Sequence, residues 1–261
     1  MSVTHEQSFP ALAVEQLGVR YGALVALEGV TWSVHPGEVL GIIGPNGAGK
    51  SSCYDAVTAM VRREGRVTLH GIDVTNVPPH ELAALGLKRA FQQNAFFDDL
   101  SVLDNLVAVL GHRSHSSLLG SVFNPFAAAR LRAQASAFAA TQLVRFGVPS
   151  DYHHLSPKEI PYGVQRMLSI ALAYGDGARV LMLDEPAAGL GGEDMARLVA
   201  LLTSLKNEGV ALVVIEHHMD LIMAVADRIC VLDLGRQLAY DVPAKIRSDP
   251  RVLEAYLGKT E

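Results

Sequence analysis

Gly44-Pro45-Asn46-Gly47-Ala48-Gly49-Lys50-Ser51 sets glycines, a lysine and a hydroxyl in the order GxxxxGK[ST]. Glycine-rich backbone can turn successive N–H groups inward, where they cradle β- and γ-phosphate oxygens. Lys50 adds a point charge on the same oxygens, and the Ser51 hydroxyl is placed to ligate Mg²⁺. Ser52 opens a helical stretch, Ser52–Met60, whose N-terminal dipole favours the same anion. Such a loop needs a metal carboxylate at the end of a neighbouring strand. Val180-Leu181-Met182-Leu183-Asp184-Glu185 offers one: four apolar residues, then two acids. Asp184 is placed to hold Mg²⁺ through its water shell. Glu185 points elsewhere and can polarise an attacking water as general base.

The elements that must carry these groups are those of an α/β protein. Glu38–Ile43 reads as a strand running straight into the glycines. Val180–Leu183 and Val210–Ile215 are continuous apolar runs, as in parallel strands covered on both faces. Between them Glu193–Asn207 has the three-and-four apolar spacing of an amphipathic helix, which makes a crossover unit. The middle of the chain is rich in Ala and Leu, notably Ala127–Phe146, and lacks strand runs, so it is expected to be a helical lobe inserted between strands. Val242–Leu257 predicts two short helices parted by Ser248-Asp249-Pro250, with Pro opening the second.

The 261 residues suffice for one large domain or a domain with an inserted lobe. With 49% hydrophobic and 19% charged residues the chain is an ordinary globular protein, neither disordered nor fibrous. A net charge of −5 provides no global basic field, so no nucleic-acid partner is expected. Two cysteines, Cys53 and Cys230, make neither a disulfide framework nor a four-ligand zinc site, and they read as buried thiols in a reducing cytosol. No apolar run is long enough to cross a bilayer, and the first residues lack the pattern of a secretory signal. His112 with His115, and His153 with His154, lack an evident third metal ligand.

With these pieces placed, the chain resembles the ATP-binding subunits of ABC transporters over nearly its whole length. The segments GPNGAGKS, LMLDEPAAGL and VIEHHM carry most of the likeness. The resemblance implies an α/β fold of the ABC ATPase type: a RecA-like P-loop NTPase core over about 8–93 and 175–240. A helical lobe would span about 94–174 and a helical tail about 241–261, all within one ATP-binding domain. It implies ATP and Mg²⁺ as ligands. Tyr21 is similar to the aromatic that stacks on adenine, and Gln92 to the glutamine that touches Mg²⁺ and the lytic water, with Gln93 its rival in register. His217 is similar to the histidine that contacts the γ-phosphate, with His218 its rival.

Two places depart from the family pattern. The helix opening LSGGQ corresponds to Ile160-Pro161-Tyr162-Gly163-Val164, so Pro161 stands where a serine hydroxyl would reach ATP on a second subunit. Pro161 suits a first helical turn, and backbone N–H groups near Tyr162 and Gly163 can still face an anion. Gly191 stands at an Asp or Asn position in the loop after the acid pair. Hydrolysis is nevertheless expected, because Lys50, Ser51, Asp184, Glu185 and His217 are all present.

Within the family the chain is most similar to importer ATPases of the branched-chain amino-acid type, on DEPAAGL and on the terminal pattern with Pro250, Val252, Ala255 and Leu257. That resemblance implies a second, identical or paralogous ATPase subunit, two membrane permease subunits and, indirectly, a solute-binding protein. The chain would then sit peripherally on the cytoplasmic face of the membrane. Ala95–Leu100 is the expected socket for a membrane subunit's helix. The competing readings are a non-hydrolysing regulatory subunit of an asymmetric pair and an ATPase serving another small solute. A ribosome-directed ABC protein would carry two cassettes, a DNA-repair member a long coiled coil, and a kinase or GTPase would leave IPYGVQ, DEP and the histidine unexplained.

Overall fold

The computed structural model describes residues 9–90, 96–111 and 125–257. The chain divides into two compact units, one of Met1–Arg89, Ala178–Ala188 and Leu202–Glu261, the other of Ala90–Gly177 and Gly189–Leu201.

Among the described residues the first unit holds two sheets. β1 (Leu12–Tyr21), β2 (Leu24–Val34), β4 (Glu64–Leu69) and β5 (Ile72–Asp73) form an antiparallel sheet in the order β2-β1-β4-β5. The second sheet runs β10-β9-β3-β8-β7-β6, from β3 (Val39–Ile43), β6 (Leu87–Arg89), β7 (Val180–Asp184), β8 (Ala211–Ile215), β9 (Arg228–Asp233) and β10 (Arg236–Asp241). All its pairings are parallel except β9 with β10. Every residue of β3, β7 and β8 is buried, which is why these strands read as apolar runs, with Asp184 the single acid at the end of β7.

α1 (Lys50–Val57) contributes Cys53, Tyr54, Ala56 and Val57 to a core shared with Val14, Leu17 and Val30 of one sheet and Ile42, Met182 and Val213 of the other. It begins two residues earlier than the sequence suggests and ends earlier too. Gly49 serves as its N-cap at φ 99°, and Ala59 turns left-handed at φ 58°, so the chain cannot stay helical to Met60. The other described helices of this unit are α2 (Pro79–Ala84), α7 (Met219–Val225), α8 (Pro243–Ser248) and α9 (Pro250–Leu257).

The second unit is built from α3 (Val102–Gly111), α4 (Pro125–Arg145), α5 (Tyr162–Tyr174) and the start of α6 (Gly192–Asn207), whose last turns belong to the first unit. Two short 3₁₀ turns, Ser150–Tyr152 and Pro157–Glu159, precede α5, the latter closed by a capping box between Ser156 and Glu159. Among the described residues no helix is long and apolar enough to cross a membrane.

Candidate phosphate-binding and hydrolytic site

Strand register assembles the site. Ile42 of β3 stands opposite Ile215 of β8, and Ile215 opposite Asp184 of β7. The loop after β3, the acid pair closing β7 and the histidines after β8 therefore leave the sheet side by side. This is the carboxyl edge where open parallel sheets place their ligands.

The loop has the shape of an anion cradle. Gly44, Gly47 and Gly49 have φ of 155°, 81° and 99°, in the region that favours glycine. A side chain on Gly44 would overlap the Leu232 carbonyl, and one on Gly49 would come within 2.8 Å of Ala26 O. The Ala48 carbonyl accepts the Gly235 N–H at 3.1 Å, which ties the buried Ala48 to the β9–β10 turn. Pro45 is half-buried, while Asn46 and Gly47 are exposed at the tip. Lys50 is only 9% exposed, and its Nζ donates to Gly44 O at 2.7 Å and Pro45 O at 3.1 Å. Burial lowers its pKa, while Glu185 and Asp184 raise it. Ser51 is exposed and Ser52 half-buried in the first turn of α1.

Asp184 is 8% exposed at the end of β7. Burial, followed by the neighbouring Glu185 charge, pushes its carboxyl up to about 6, against a weaker pull from Arg89. A carboxylate held so unfavourably is suited to a cation. The residues present thus fit Mg²⁺ and a polyphosphate: left-handed glycine turns, an ammonium, the Ser51 hydroxyl and a desolvated carboxylate. Arg89 and Tyr54, neither singled out by motif, support this corner. Arg89 donates to Asp55 at 3.1 Å and lies 4.5 Å over the Tyr54 ring, and Tyr54 donates to Met182 O at 3.1 Å.

Glu185 turns out of the strand at φ 47°, a left-handed value that costs a non-glycine residue energy. Its N–H donates to Ile215 O at 2.8 Å, which holds the turn. His217 Nδ1 lies 3.5 Å from Glu185 Oε1, whereas the neighbouring His218 packs against the His217 ring with centroids 4.3 Å apart. Among the described residues, Glu216, His217 and His218 form a group whose potential metal-ligand atoms lie within 4.8 Å of one another. Tyr21 lies at the end of β1, 45% exposed. Gln92 and its rival Gln93 lie outside the described residues.

In the second unit Pro161 is the N-cap of α5 with φ −56°, and it makes no side-chain capping bond. Tyr162 is exposed and Gly163 buried against the Asp194 carboxylate, which a side chain at Gly163 would overlap. Gly191 is exposed. Phe97 is 59% exposed rather than packed among its neighbours. The backbone around it is held by Asn105, which motif reading passed over: Asn105 accepts from Phe97 N at 2.8 Å and donates to Phe97 O, Leu100 O and Ser101 O.

Comparison with known proteins shows the family. Residues 27–188 match the ABC transporter family model, and residues 236–261 match that of the branched-chain amino acid ATP-binding cassette transporter. The high-affinity branched-chain amino acid transport ATP-binding protein BraF of Pseudomonas aeruginosa is 35% identical over 254 residues, 97% of this chain and 99% of that protein. The corresponding LivG of Escherichia coli is 34% identical over the same shares. A solved nucleotide-free ATP-binding cassette from an ABC transporter superposes with a TM-score of 0.81 at 28% identity, covering 96% of this chain and 100% of that one. The chain therefore belongs to the ATP-binding cassettes of ABC transporters, ATPases coupled to transport.

Proposed function

We propose that this chain hydrolyses ATP to energise an importer of branched-chain amino acids. The observation that carries the substrate class is the match of residues 236–261 to the branched-chain cassette model, joined to 35% identity over 97% of the chain with BraF.

In this reading the loop N–H groups and Lys50 hold the phosphates, and Tyr21 stacks on the adenine. Ser51, Asp184 and Gln92 would hold Mg²⁺, which when bound neutralises charge on the phosphate oxygens. Glu185 accepts the proton of the attacking water, and His217 donates toward the γ-phosphate. Pro161, Tyr162 and Gly163 present the start of α5 to the nucleotide on a second subunit. ATP then binds the closed pair more tightly than the open one and draws it shut. Exposed Phe97 and the acids beside it form the docking face for a membrane permease subunit, two of which would complete the importer on the cytoplasmic face of the membrane. A solute-binding protein acts through them.

The second reading, a regulatory ATP-binding subunit of an asymmetric pair, is favoured by one feature: Pro161 offers no hydroxyl where the family's serine would stand. Uptake of labelled leucine by cells lacking this chain separates the two. Restoration by wild type but not by Glu185→Gln supports the hydrolytic reading. Equal restoration by both supports the regulatory one, and unimpaired leucine uptake without the chain removes the substrate class.

A further inference from the structure

Glu216 lies one residue beyond β8 and is 0% exposed. An acidic side chain so placed is costly unless its oxygens are hydrogen-bonded. Here they are. Oε1 accepts the Ala187 N–H at 2.7 Å, and Oε2 accepts the His217 N–H at 3.0 Å and the His218 N–H at 3.1 Å. The Glu216 N–H in turn donates to Ile42 O at 3.2 Å, on the strand that feeds the phosphate loop. Although Glu216 belongs to the one cluster of metal-ligand type among the described residues, its oxygens are sealed from solvent and taken up by backbone donors. It is an anchor rather than a ligand.

The donors on its two oxygens come from two different segments. Ala187 follows Glu185 by two residues, on the turn out of β7. His217 and His218 begin the turn out of β8. We propose that Glu216 is a positioning residue that clamps these two turns together and so sets the approach of His217 to Glu185. This proposal rests on the hydrolytic reading above, in which those two side chains flank the reacting phosphate.

Glu216→Gln is the discriminating variant, because it keeps size and shape. A glutamine has one acceptor oxygen. Turned toward the histidines, it keeps those two bonds and sets an NH₂ against the Ala187 N–H, which severs the clamp while leaving the histidine turn held. Measured on the full chain, Mg-ATP affinity should stay within about threefold of wild type. Turnover per nucleotide-binding chain should fall about tenfold or more, in line with the sensitivity of reactions to small misplacements. A merely structural role would lower the folded, binding-competent fraction and leave turnover per bound site unchanged. A smaller fall, or affinity and turnover falling together, overturns the proposal.

Amide exchange by NMR needs neither turnover nor a stable variant to read the clamp. In wild type the Ala187, His217 and His218 amides should all be protected at least tenfold more than the exposed Asp220 amide of α7, and an unprotected Ala187 amide overturns the proposal. If wild type itself bound or hydrolysed no Mg-ATP, the hydrolytic reading would fail, a result distinct from full turnover retained in E216Q.

Discussion

His217 and Glu185 face one another at 3.5 Å from the ends of two adjacent parallel strands, β8 and β7. In the proposed hydrolytic role the contact joins the group that accepts a proton from water to the one that donates toward a phosphate oxygen. Glu185→Gln keeps size and removes the basic oxygen, so Mg-ATP turnover should drop by about 10²–10⁴-fold while nucleotide binding persists. His217→Ala should lower turnover by a comparable factor, and His218→Ala far less. Steady-state ATPase assays beside nucleotide titrations check all three. Equal losses at His217 and His218 would contradict the assignment.

Asp184 should make the nucleotide-free chain less stable as pH rises. Its folded pKa of about 6 lies above the ordinary 3.8, so between those values the folded chain binds the extra proton. Stability is therefore greatest below about pH 4 for this group, falls through pH 6, and stays lower by about 3 kcal/mol above it. Asp184→Asn removes the charge and should raise Tm by several degrees at pH 8, with a smaller gain at pH 5, while abolishing turnover. Thermal melts of both proteins at the two pH values test the sign. An equal or larger gain at pH 5 would refute it.

Pro161→Ser restores a hydroxyl at the N-cap of α5. A serine cap contributes about 1 kcal/mol, and loss of proline's rigidity costs about 0.4–1 kcal/mol, so stability should barely move. Turnover of the assembled pair should rise, because the added hydroxyl supplies a donor toward the nucleotide on the second subunit. Melting curves and ATPase rates measured together give the answer, and an unchanged rate would show that backbone groups of the helix start already suffice.

Asn105 and Phe97 should separate stability from docking. Asn105→Ala strips the bonds that hold the Phe97–Ser101 backbone and should destabilise the chain by about 2–4 kcal/mol, at about 1 kcal/mol per bond lost. Phe97→Ala removes an exposed ring and should leave Tm nearly unchanged while weakening copurification with membrane subunits. A large drop in Tm for Phe97→Ala would assign that ring to packing.

Legibility in the sequence followed how each feature is encoded. The phosphate loop, the acid pair and the strands β3, β7 and β8 stood out because glycine spacing and unbroken apolar runs are local signals. The antiparallel sheet did not. β1 breaks its alternation at Gln16, which sits at φ 52°, and register shifts run between Val14 and Arg20, so no period of two survives. β6 has only three residues. Glu216 was visible in VIEHHM but carried no role, since its partners are backbone N–H groups, one of them 29 residues away. Asn105 escaped for the same reason: a buried amide serving backbone leaves no pattern of side-chain types.

Lys50 and its glycine cradle should grip a polyphosphate, and calorimetric titration of Mg-ATP into wild type and Lys50→Ala is the sharpest check of that grip. Wild type should bind one nucleotide per chain. The variant, with unchanged circular dichroism, should bind about 30-fold more weakly or worse, as expected for loss of a buried charged partner worth about 2–5 kcal/mol. Equal affinity in the two proteins, or none in either, would contradict the claim.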